Sequence, residues 1–165
     1  MWGEIESLLM AINSVTWLSY LAASFAAVFL VRDLSFKATL IAWSVADLVN
    51  LVFTPILFSL SEVDRELARL VWYPAFSMLS LLTIFFIYQV HIKASIQVSR
   101  FSKPIVLWLL MMVALNVVRF FDRVVFETNF TSELFKFGLL AVKVWASVAV
   151  WIYLYQMCSR SRRAA

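Results

Sequence analysis

Asp47, Asn50, Asn116, Arg119, Asp122, Arg123 and Lys143 are the side chains best placed to do chemistry, because each interrupts a long apolar stretch. An unpaired charge in hydrocarbon costs roughly 2.5–3.5 kcal/mol on insertion scales, so such residues face protein or water. There they can form ion pairs, hold a proton or receive an ion of opposite sign. Their spacing is regular. Asn116, Arg119 and Arg123 fall at i, i+3 and i+7, one helical stripe; Lys136, Lys143 and Ser147 form another, and Ser44, Asp47 and Asn50 a third. Counted inward at about 1.5 Å per residue, Asn50, Asn116, Arg119 and Lys143 share a layer just off the membrane midplane, with Asp47 about one turn deeper.

Two readings of this set stand side by side. In the structural one, Asp47 pairs with Lys143 or Arg119, Asp122 pairs with Arg123 or Lys136, and the two Asn bridge helices. In the functional one, imbalance is the starting point: Asp47 and Asp122 face Arg119, Arg123 and Lys143. The excess positive charge is met by a neutral Lys143, by an anion such as a lipid phosphate, acidic substrate or acidic partner helix, or by a water-filled vestibule lined by Arg119, Arg123 and Lys136.

Other chemistry finds little support. No H-E-x-x-H, G-x-S-x-G or phosphate-loop pattern is present, and no Asp/His cluster has metal-ligand spacing. A single cysteine, Cys158, excludes an internal disulfide, a CxxC pair and a thiolate metal site. The single histidine, His91, lies between Gln89 and Lys93 and reads as an interfacial residue. Neither a cofactor nor a metal is expected, and no enzymatic reaction. Asn129-Phe130-Thr131 matches a glycosylation sequon. The formal charge of +4 comes from basic residues scattered at the ends of apolar runs, so nucleic acid is not an expected partner.

The elements that must position these residues are membrane helices. Of 165 residues, 64% are hydrophobic, and the mean hydropathy is +0.90. That is far above the soluble norm of roughly 45–50%. Apolar runs cover 8–31, 36–60, 68–92, 104–126 and 134–157, each long enough to cross a bilayer, with short connections between them. An all-α, up-down bundle of about five transmembrane helices in one domain (1–165) is expected. The alternative is four spans plus a re-entrant or interfacial helix.

The opening residues MWGEIES are acidic and lack the basic region of a secretory leader. Acidic and basic flanks then alternate at every crossing, placing the N-terminus outside and the C-terminus in the cytoplasm. Lys93, Arg100, Lys103, Arg160, Arg162 and Arg163 form a basic cytoplasmic surface with a capacity for anionic lipid. Ser61 and Asp64 suit the start of the third helix, and Pro74 marks where it properly begins.

With almost no extramembrane mass, the chain is expected to act in the bilayer, as a non-enzymatic sensor, adaptor or scaffold subunit. It would pack as a homo-oligomer or with a partner protein, in a bacterial inner membrane and in a setting such as stress response or defence. A small oligomeric channel or transporter using the midplane cluster is the alternative.

Overall fold

The computed structural model describes residues 2–163; for 2–10, 12, 13 and 160–163 it describes the backbone alone. All regular structure there is helical: α1 (Trp2–Leu30), α2 (Leu34–Val63), α3 (Arg65–Lys93), α4 (Ser102–Phe120) continued by a π-helical turn (Phe121–Val125), and α5 (Ser132–Arg163). The apolar runs form helices because hydrocarbon satisfies no backbone polar group, leaving the internal i→i−4 ladder as the solution. Four helices are long and apolar enough to cross a membrane: Leu34–Val63, Arg65–Lys93, Ser102–Val125 and Ser132–Ser159. The described apolar part of α1, Ser14–Leu30, is shorter. The stretch 102–125, which holds most of the intramembrane charge, is thus one continuous helical piece.

Consecutive helices pack side by side, and α5 returns against α1, closing the bundle; α4 also touches α2. Among the described residues α2 and α5 make no direct backbone approach. The α1–α2 seam uses small residues: Ala23, Ala27 and Ala42 are buried, and Ser24 Oγ meets Ser44 Oγ at 2.8 Å. The α1–α5 seam is tied by Tyr20 Oη donating to the Lys143 carbonyl (2.8 Å), by Ser19 Oγ with Ser147 Oγ (2.9 Å), and by Trp151 Nε1 donating to Ser19 (2.8 Å). Aromatic rings fill the interior. Phe36, Phe101 and Tyr153 pack mutually with centroids 4.6–5.2 Å apart, and Trp43 stands edge-on to both Tyr20 and Trp108.

The connections show how the chain reverses. Asp33 caps α2 by accepting from Phe36 N (3.0 Å). Asp64 alone separates α2 from α3: its extended backbone (φ −142°) makes the corner, and its carboxylate accepts from Glu66 N and Leu67 N at 3.0 Å. The third helix therefore starts at Arg65, ahead of the expected position near Pro74. Asp64 satisfies the first amides, and both Pro55 and Pro74 are accommodated inside helices. Ser61 lies within α2 and donates to the Phe58 carbonyl.

At the other end, α3 closes with Ser95 in the left-handed region (φ 51°), Ser95 N donating to Ile92 O (3.1 Å) and Ile96 N to His91 O (3.0 Å). This Schellman arrangement normally uses glycine. Ser95→Gly is therefore expected to raise stability by up to about 1 kcal/mol, and Ser95→Val to lower it by a similar amount. Equilibrium unfolding in mixed micelles measures both.

Candidate functional site

The intramembrane polar residues separate into clusters rather than the single layer that depth alone indicates. Nearest the acidic connections, α4 ends in the π turn, whose extra residue resets the helix face after Phe120. Asp122, not Arg123, then lies beside Arg119. The carboxylate of Asp122 accepts from Arg119 Nη1, from the Thr128 hydroxyl, from Phe130 N (3.2 Å), and from the amide (3.1 Å) and hydroxyl (2.7 Å) of Thr131. Arg119 also donates to Asn129 Oδ1 at 2.6 Å. Both charges are buried, at 5% and 6% exposure. The connection 126–131 is thereby folded onto the helix end, with Glu127 left-handed at φ 53° and Thr128 N donating to the Asp122 carbonyl.

This corrects two expectations. Asp122 pairs with neither Arg123 nor Lys136: the π turn carries Arg123 off the shared stripe, and Lys136 bonds Glu133 (3.2 Å) three residues back on its own helix. Arg119 lines no open vestibule among the described residues: it is buried, and Asp122, Asn129 and Thr131 accept from its guanidinium. The same bonds engage the amide oxygen and hydroxyl of the Asn129–Thr131 sequon. Arg123 is half-buried, with no ion pair among the described residues. The extra positive charge within the spans is therefore localised at the end of the fourth one.

Deeper in the bundle, Lys143 Nζ on α5 donates to Asp47 Oδ1 on α2 at 3.1 Å, both groups being 8% exposed. A cavity of about 40 Å³ adjoins the pair, its wall shared by Trp43, Asn50, Leu79, Ser80, Met112 and Lys143 among others. Asp47 Oδ2 and Asn116 Oδ1 are the two buried side-chain atoms without a hydrogen-bond partner among the described residues. Asn116 does not bridge helices: its amide donates to Met112 O (2.8 Å) within α4. Asn50 reaches the cavity wall without a side-chain hydrogen bond to another helix. The expected inter-helix Asn bridges are absent among the described residues, because Asn116 turns back along its own helix.

A third cluster was not singled out in the sequence. His91 is buried (6% exposed), not interfacial, and its Nε2 lies 2.7 Å from Ser35 Oγ while Nδ1 lies 2.7 Å from Ile87 O. The Ile87 carbonyl can only accept, so Nδ1 carries a proton, and Nε2 is left to Ser35. Ser35 also contacts Ser102 (3.0 Å) and accepts from Ser99 N (2.9 Å), and Ser102 contacts Thr39 (2.7 Å) and Ser99 (3.0 Å). The available signal was Ser at 35, 99 and 102, near the starts of α2 and α4, which the short connections bring to the end of α3 that holds His91. Nucleophile, base and orienting carbonyl are thus aligned, yet Ser35 and Ser102 are sealed at 1% and 0% exposure. The network therefore serves to join α2, α3 and α4.

Lys93, Arg100 and Lys103 are exposed at this same end, together with Arg32. The side chains of Arg160, Arg162 and Arg163 lie outside the described residues. No group of acidic, His or Cys side chains with metal-holding geometry occurs among the described residues. No protein-family model matches the chain, and comparison with curated proteins and with solved structures found no similar one.

Removing one member of a buried pair strands the other. Asp122→Ala is expected to destabilise the bundle by about 3–5 kcal/mol, and by clearly less when Arg119 is already Met. A double-mutant cycle of unfolding free energies measures the difference.

Proposed function

We propose that this chain is a non-enzymatic integral membrane component, a sensor, adaptor or scaffold subunit that works by packing against copies of itself or a partner protein. A bacterial inner membrane is its proposed location. The observation that carries this reading is the inward placement of the charged pairs. Asp47–Lys143 and Arg119–Asp122 each lie inside a single bundle and are ion-paired there. The outward surfaces of the helices are apolar, with Phe25, Phe29, Phe85, Phe86, Phe137 and Trp145 among the most exposed side chains. A component of this kind acts through its apolar flanks and through the basic surface of Lys93, Arg100 and Lys103, which also fits anionic lipid.

The alternative, an oligomeric channel, draws less support. A pore shared between subunits is lined by residues on the outside of each subunit, whereas Asp47, Asn116 and Lys143 face the interior of one. A cavity of about 40 Å³ also admits a few waters at most, not a solute.

Extraction of a tagged copy from native membrane into nanodiscs, with mass measurement of the intact particles, tests the proposal. A defined homo-oligomer or a stoichiometric partner is expected. A bare monomer whose liposome ion flux changes with Asp47→Ala or Lys143→Ala would overturn it.

A further inference from the structure

We infer that the cavity beside Asp47 is a binding site for water, which completes the hydrogen bonding of the intramembrane Asp47–Lys143 pair. This inference stands independently of the adaptor reading. Asp47 Oδ1 is engaged by Lys143, and Asp47 Oδ2 is buried with no partner among the described residues. An ionised carboxylate oxygen in that position demands a donor. The residue lines a cavity of about 40 Å³ whose wall carries two more polar side chains, Asn50 and Ser80. Ser80 donates its proton to Phe76 O (3.0 Å), leaving its oxygen lone pairs free to accept. Asn50 offers both a carbonyl oxygen and an amide. A water there can donate to Asp47 Oδ2 and Ser80 Oγ and accept from Asn50, within the two to four partners that buried waters use.

Charge and size select water over other ligands. The pair is neutral as a unit, so a metal cation would meet the Lys143 ammonium, and an anion would meet the free carboxylate oxygen. The volume of about 40 Å³ holds about three or four water molecules, at roughly 10–15 Å³ each.

The test is hydroxyl-radical footprinting of the full chain in lipid nanodiscs, read by mass spectrometry after transfer to H₂¹⁸O. Met112 lines the cavity, whereas Met111 and Met78 are exposed by 45% and 57% on outward faces that lipid covers. Oxidation of Met112 is expected to exceed that of Met111 and Met78 several-fold, with slow uptake of ¹⁸O. Ala46→Leu, which fills the cavity from its wall, is expected to reduce Met112 oxidation to the level of the other two. Equal oxidation of the three in the folded wild-type protein would overturn the inference, and this comparison decides alone if the Ala46→Leu protein does not fold. Met112 oxidation undiminished in a folded Ala46→Leu protein would overturn it as well.

Discussion

The bridge from Lys143 to Asp47 is the interaction on which the bundle interior depends. Its helices, α2 and α5, do not approach each other directly; each packs against α1 instead. A long, flexible ammonium side chain spans the gap, and its partner sits between Trp43 and Asn50 on α2. The low dielectric that makes an isolated charge costly also strengthens the pair once formed. Tyr20 adds a tie from α1 to the Lys143 backbone, so three helices converge on one residue of α5. Polar contacts in the middle of the bundle thus join the close packing of its seams in setting the geometry. Apolar burial alone could not do this, since lipid tails solvate Leu and Phe as well as a neighbouring helix does.

The two ends of the bundle solve the problem of chain reversal differently. At the acidic end, a single carboxylate gathers amides and hydroxyls from the connection after α4, with a guanidinium beside it. At the basic end, a chain of hydroxyls runs from Thr39 and Ser102 through Ser35 to His91, and neutral donors and acceptors suffice. Asp122 terminates a helix whose final turn is π-helical; Ser35 and Ser102 each occupy the first turn of an ordinary α-helix. Each arrangement leaves buried helix ends hydrogen-bonded, which their backbone groups require.

The helices were legible in the sequence because apolar runs of membrane-spanning length have few other folds. The partner of Asp47 was among those expected, since depth limited the choice to Lys143 or Arg119. The partner of Asp122 was not, because a π turn has no strong sequence signal and shifts every later residue around the axis. His91 was misplaced for a related reason. Its neighbours Gln89 and Lys93 indicate the interface, while the serines that bury it come from positions 35, 99 and 102, distant in sequence. The start of α3 was displaced by reliance on Pro74, whose missing amide proved compatible with a helix interior.

The single residue between α2 and α3 has a consequence for biogenesis. With Asp64 alone as the link, neither helix can enter the bilayer and wait for the other, because a one-residue tether gives no slack for independent arrival. The two therefore enter as a hairpin, with Glu62, Asp64, Arg65 and Glu66 together at its tip. Asp64 also holds that tip closed, since its carboxylate accepts from the first free amides of α3.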